Sequence, residues 1–335
     1  MRGRGATAGR RTRTMGPEDI DLLSGTPDKG IIRTDRSELT GEMVDKGVYE
    51  WGWDDSPIVL PLALHRREWN AVYIAAHLAE YCGARLVAFH VKSERERIDT
   101  EFRSKVESFL SLLRIKFEFE EAKVKGQPSF ETIAQLIVDQ AKVTGAQAVV
   151  MSAHKEGFLL SLVGRVSDRV ARKNQARTVL VESPRPEMKV PDHPKKVLVM
   201  VKEGTKSRDA YVVAAALTSL ATTPDAELIA TQAIVLPPTV PLDAVDFSET
   251  LKDVEREFAY SVADSIRSLG RIFTPRLLVV RELGRDISNY AQQEGADLMV
   301  LTGRSKKFSE LFGKDTKEIV RNSPCVVLVV FPARA

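Results

Sequence analysis

The sequence predicts an α/β protein built from two tandem five-stranded parallel sheets. Three observations lead there. One order of elements occurs twice along the 335 residues. The strand segments are apolar runs without polar alternation, and helical stretches of ten or more residues separate them. Strands apolar throughout are buried on both faces, and a helix between consecutive strands imposes the parallel, right-handed crossover. An internal repeat is therefore the first thing to establish.

The first copy opens with the strand "SPIVLPLAL" (Ser56 to Leu64) and the helix "REWNAVYIAAHLAEYCGA", whose apolar residues recur at spacings of three and four. The buried strand "RLVAFHV" follows, then a linking helix around Glu101 to Leu113 and the strand segment "KFEFEEAKVKGQPS". The helix "FETIAQLIVDQAKVTGA", the strand "QAVVMSA", the loop and helix "HKEGFLLSLVGRVSDRVARKNQA" and the strand "RTVLVES" complete it. The second copy repeats the order. "KKVLVMVKEG", "RDAYVVAAALTSLATTPDA" and "ELIATQAIVL" are its first strand, first helix and second strand; the helix "VEREFAYSVADSIRSLGRIF" precedes the third strand, "TPRLLVVRELG". "RDISNYAQQEGA", "DLMVLTG" and "CVVLVVF" close the set. Between the copies, "SPRPEMKVPDHPKK" carries Pro184, Pro186, Pro191 and Pro194. The expected division is residues 1–55 as tail and arm, 56–186 as the first domain, 187–194 as linker and 195–335 as the second domain.

In a doubly wound sheet of order 3-2-1-4-5, the order implied by the family resemblance described below, the last strand lies at an edge. A long apolar edge must be covered, so "RTVLVES" and "CVVLVVF" are expected to pair antiparallel across a pseudo-twofold. The chain would then be its own pseudo-dimer, with a further homo-oligomer left open.

Composition excludes several classes. No apolar run approaches the ~18 residues of a membrane span, and a hydrophobic fraction of 43% supports real cores. Cys82 and Cys325 show no zinc or disulfide spacing and read as two buried thiols of a reducing cytoplasm. The net charge is +3, but Arg2, Arg4, Arg10, Arg11 and Arg13 supply five positive charges before Met15, so +3 less five leaves the rest at −2. The body of the chain is not a basic nucleic-acid binder. The basic tail is expected to be disordered, able to touch RNA only through charge, unless translation begins at Met15. "GVYEWGWDD" reads as an arm whose aromatic end docks on the first domain.

"GQPSFETIAQLIVDQAKVTGAQAVVMSA" with "VGRVSDRVARKNQARTVLVES", and "GRDISNYAQQEGADLMVLTGRS" with "FGKDTKEIVRNSPCVVLVV", resemble the universal stress protein family. The likeness runs from about Ile58 to Val330. It implies the 3-2-1-4-5 sheet, a stress-response or regulatory role in the cytoplasm, and ATP or AMP as ligand in many members. The ligand would lie in the crevice between first and fourth strands, where open α/β sheets bind.

The resemblance also shows what is missing. ATP-binding members carry an aspartate ending the first strand; Ala63 and Lys202 stand there. They carry a glycine loop after the fourth strand. In the first copy Ser152 replaces its first glycine, Gly164 survives, and Arg165 and Ser167 follow. In the second, Gly303 and Gly313 survive with nine residues between them, and Lys314 and Thr316 follow. Glycine, base, any residue, hydroxyl at a helix start suits an anion. Lys202, Gly303, Arg304, Ser305, Gly313, Lys314 and Thr316 therefore form the candidate phosphate or nucleotide site, with Lys306 and Lys307 nearby. Ala63, Ser152, Gly164, Arg165 and Ser167 are the weaker equivalents. The competing reading is a ligand-free interaction module, in which the glycines only turn the chain.

Enzymatic signals are wanting: neither first-strand end, "LALHRRE" or "VKEGTKS", fits the phosphate loop or histidine pair of adenine-binding enzymes. No catalytic residue is assigned. His65 and His154, with Glu68 or Glu156, give a thinkable metal or acid/base pair, but functionless surface histidines are the simpler reading. His90, inside a strand, reads as a satisfied core residue.

Overall fold

A computed structural model describes residues 52–64, 68–93, 99–153, 165–201, 207–218, 225–237, 239, 248–269, 271–303 and 313–334. The first repeat comprises β1 (Ile58–Pro61), α1 (Trp69–Cys82), β2 (Leu86–Ser93), α2 (Thr100–Leu112), β3 (Phe117–Val124), α3 (Phe130–Val143), β4 (Ala148–Ser152), α4 (Arg165–Lys173) and β5 (Arg177–Glu182). The second comprises β6 (Lys196–Val201), α5 (Arg208–Thr218), β7 (Glu227–Val235), α6 (Ser248–Leu269), β8 (Phe273–Val280), α7 (Leu283–Glu294), β9 (Leu298–Thr302), α8 (Lys314–Asn322) and β10 (Val326–Phe331).

The strands form one ten-stranded sheet of order β3-β2-β1-β4-β5-β10-β9-β6-β7-β8. Each half has the expected order 3-2-1-4-5. All pairs within a repeat are parallel. The one antiparallel pair is β5 with β10, from Val327 opposite Glu182 to Phe331 opposite Thr178. The two apolar edges thus cover one another as expected, and their pairing joins the two sheets into one. The outer edges carry blunting residues: β3 bears Glu118, Glu120 and Glu121, and β8 bears Pro275, which has no N–H to offer a new strand.

Alternate side chains enter opposite layers. Ile58 and Leu60 of β1 face a core shared with α1, α2, α5 and α6, whereas Val59 faces one shared with α3, α4, α7 and α8. Helix starts follow local chemistry: Asp99 and Ser129 accept the N–H groups of Phe102 and Thr132 at 3.0 and 3.1 Å. Among the described residues no helix is long and apolar enough to cross a membrane. Cys82 and Cys325 are both buried free thiols, pushed up to about 12 and about 11 by burial.

Antiparallel joining sets the C-terminal strand ends of one repeat beside the N-terminal strand ends of the other. The segment entering each repeat crosses that seam. Trp53, fully buried before β1, donates its indole Nε1–H to Asp209 Oδ1 of α5 at 2.8 Å. Arg177 of β5 donates to the same oxygen at 2.7 Å and lies 4.6 Å from the indole centroid. Trp53 therefore docks on the first repeat, as expected of the arm's aromatic end, and on the second as well. A hydrogen-bond partner 156 residues away leaves no local sequence signal. On the other side, Asn70 of α1, the counterpart of Asp209, holds the inter-repeat segment through Ser183, Met188 and Val190. Arg334, beyond β10, donates to Ala171 and Arg172 carbonyls at the end of α4, capping a helix of the first repeat from the second.

Candidate functional site

In the second repeat, β6 and β9 pair from Val197 opposite Leu298 to Met200 opposite Leu301, so their C-terminal ends emerge side by side. Helix α8 begins beside them at Gly313, which as N-cap residue brings no side chain to the first N–H groups. These elements leave a shallow dent lined by Met200, Leu283, Leu301, Thr302, Asp315, Thr316 and Ile319. Its volume is about 10 Å³, room for one water-sized body. Thr302 Oγ1 is buried there and has no hydrogen-bond partner among the described residues. Lys314 and Asp315 are both exposed in the first turn of α8. The carboxylate of Asp315 already complements the positive helix end, which weakens the field left for an anion.

Gly303 has a second reason to be glycine. A Cβ at that position would lie 2.4 Å from Phe331 Cε1 and 2.5 Å from Cδ1. Its N–H is also spent, donating to Val330 O at 2.7 Å. That N–H therefore continues the sheet and is not free to hold a phosphate. Lys202, Arg304 and Ser305, with Lys306 and Lys307, lie outside the described residues. Gly313, Lys314 and Thr316 are brought together at the α8 start as expected, with Thr316 on the dent.

The first crevice is built differently. The register of β1 on β4, Ile58 opposite Ala148, matches that of β6 on β9 and makes Ala63 the counterpart of Lys202. Ala63 N–H donates to Glu68 Oε1 at 2.9 Å, and Glu68 is buried. A carboxylate of the chain itself therefore occupies a backbone donor at the mouth. Leu64, next along, is held in the left-handed region at φ 54, an uncommon conformation for leucine. Ser152 pairs with Val181 as Thr302 pairs with Val330, while Ala153 N–H donates to Val181 O as Gly303 N–H does to Val330 O. Ala153, not Ser152, therefore stands in place of Gly303, and Ser152 is the counterpart of Thr302. The displacement by one arose because apolar strands align equally well in neighbouring registers until their hydrogen bonds are known. Ser167 is buried in α4. Gly164 and the side chain of Arg165 lie outside the described residues.

Thr302 is the site residue that sequence reasoning passed over. Its position at the strand end was legible, but a threonine in an apolar strand reads as β-propensity. His90 is buried, with Nδ1 2.7 Å from Leu62 O, as expected of a core histidine. Glu68 turns inward to Ala63; His65, His154 and Glu156 lie outside the described residues. Among the described residues no group of three His, Cys, Asp or Glu side chains is placed to hold a metal.

The universal stress protein family model matches residues 56–181 and again 193–330. Among solved structures, a universal stress protein from Archaeoglobus fulgidus DSM 4304 aligns with a TM-score of 0.52 and 13% identity, covering 83% of this chain and 96% of that one. A functionally unknown protein from Pseudomonas aeruginosa PAO1 gives 0.54 and 13%, covering 83% and 93%. A putative universal stress protein from Pseudomonas aeruginosa UCBPP-PA14 gives 0.54 and 14%, covering 83% and 94%. At such identities the likeness is one of fold. No curated protein sequence matches the chain. With the family matched once over each repeat and the sheet order of each half agreeing, this chain belongs to the universal stress protein family, as a tandem member.

Proposed function

We propose that this protein is a non-catalytic, stress-response regulator that holds phosphate charge in its second crevice and reads adenosine in neither. The observation that carries the reading is Thr302 Oγ1, buried without a partner among the described residues beside the start of α8; the dent itself takes no more than a water, so a phosphate would sit at its mouth, over the first turn of the helix. A hydroxyl can donate to a phosphate oxygen, and free N–H groups at a helix start favour an anion by about 0.3–1 kcal/mol. Lys314 and, from the sequence, Lys202 add positive charge. Lys202 stands where the family's ATP-binding members carry a carboxylate, so the acceptor for adenosine hydroxyls is gone. In the first crevice Ala63 takes that place and Glu68 already holds its N–H. A simple phosphate or the phosphates of a nucleotide would both suit such a site.

A second reading, the ligand-free interaction module, has specific support in the second crevice. Phe331 fills the space that the absent Gly303 side chain leaves, and Asp315 stands at the dent. One experiment separates the two. Purified full-length protein is denatured, its supernatant examined by absorbance and mass spectrometry, and the native protein titrated by calorimetry with phosphate, sulfate and magnesium ATP. The phosphate reading expects no stoichiometric adenine nucleotide and saturable binding of phosphate at least as tight as ATP. No heat with any anion would establish the module instead, and co-purified ATP would overturn both.

A further inference from the structure

Helix α1 turns one polar stripe, Asn70, Tyr73, His77 and Tyr81, toward the inter-repeat segment and the second repeat. Asn70 Nδ2 donates to Ser183 Oγ at 2.9 Å and Met188 O at 2.8 Å, and its Oδ1 accepts Val190 N–H at 3.0 Å. Tyr73 donates its hydroxyl to Asp192 O at 2.6 Å, and Tyr81 reaches Leu269 O at 3.5 Å. His77 breaks the series. It is only 6% exposed, yet among the described residues neither ring nitrogen has a hydrogen-bond partner. The Tyr73 ring lies edge-on at 4.1 Å between centroids and the Phe109 ring of α2 at 6.4 Å. The nearest carboxylate oxygen, Glu80 Oε2, is 3.6 Å from Nδ1, too far for a hydrogen bond.

We infer that His77 is a proton-sensitive catch on the inter-repeat strap: its neutral ring lets residues 183–192 close on α1, and its protonation releases them. An imidazolium carries two N–H donors, and burying a charge without acceptors is costly. Among the described residues, the titratable groups that act on it or stand beside it are Tyr73 and Glu80 on its own helix and Asp192 and His193 on the strap, and α2 meets it with the uncharged ring of Phe109. Burial first, and His193 second, pull His77 from 6.5 down to about 4, with Asp192 opposing. Burial also pushes the Glu80 carboxyl up. The closed state binds fewer protons than the open one, so closure is complete above about pH 6.5 and is lost progressively down to about pH 4. The same stripe position on α5 is Ala216, so only one of the two seam crossings carries the catch.

The test is amide exchange at Val190, whose N–H is held by Asn70, in the full-length protein. From the two pKa values, its protection factor, corrected for intrinsic exchange chemistry, should fall about thirtyfold between pH 7.5 and pH 5. In His77→Leu, or in His77→Gln if leucine prevents folding, it should stay constant within twofold. Glu80→Gln should keep the pH dependence. A thirtyfold fall that persists without His77, or a wild-type protection factor constant over the same range, overturns the inference.

Discussion

Replacing Trp53 by alanine should destabilise the whole two-repeat unit, although the residue stands before the first strand. The indole is fully buried among residues of both repeats. A tryptophan removes about 200 Å² from water, which at about 25 cal/mol per Å² sets an upper value near 5 kcal/mol. Truncations of this kind cost about 3–5 kcal/mol. Part of the loss is the hydrogen bond to Asp209, and Trp53→Phe, which keeps most of the ring, should cost about 1.5–3 kcal/mol. Asp209→Leu should cost about 3–5 kcal/mol, because it leaves Arg177 nearly buried without its carboxylate. The assay is urea unfolding followed by far-ultraviolet circular dichroism and by tryptophan fluorescence. At about 2 °C per kcal/mol for a unit of this size, the alanine variant should also melt about 6–10 °C lower. A loss below about 1 kcal/mol for Trp53→Ala, or additive losses for Trp53→Phe and Asp209→Leu, would refute the cross-seam anchor.

Three further outcomes follow from the same contacts. Gly303→Ala should cost about 1–3 kcal/mol through the clash with Phe331, and Phe331→Leu in the same chain should recover part of it; a neutral Gly303→Ala in thermal melts would instead leave the glycine to ligand binding. Arg334→Ala should cost about 0.5–1 kcal/mol by uncapping α4, seen as faster amide exchange at the α4 C-terminus, with unchanged exchange as the contrary result. Ala63→Asp alone should confer no calorimetric heat with magnesium ATP, because Glu68 still holds the backbone at that strand end; saturable micromolar binding would show the first crevice to be one residue from function.

The fold was largely legible because its signals are local and repeated. Apolar runs such as "AVVMS" and "LMVLT" can only be strands buried on both faces, and the helices between them impose parallel order. The pairing of β5 with β10 followed from asking what covers two apolar edges. The candidate site was legible only in outline. Gly303 looked like a phosphate-loop glycine, and only the position of Phe331, brought beside it by strand pairing, supplies the other reason for it. Ser152 and Ala153 could not be ordered before the hydrogen bonds to β5 were known. Trp53 announced a docking aromatic but not its partner Asp209. His77 lies within an apolar-spaced helix, where periodicity signals burial and says nothing of whether two nitrogens find partners.

The central claim is that charge, not adenosine, is what the second crevice recognises, and the most direct measurement is competition between phosphate and magnesium ATP on full-length protein at two salt concentrations, with wild type beside Lys202→Asp. The account expects phosphate to displace ATP, both affinities to fall with added salt as the Coulomb attraction is screened, and Lys202→Asp to weaken phosphate most. ATP outcompeting phosphate regardless of salt, or phosphate affinity untouched by Lys202→Asp, would contradict it.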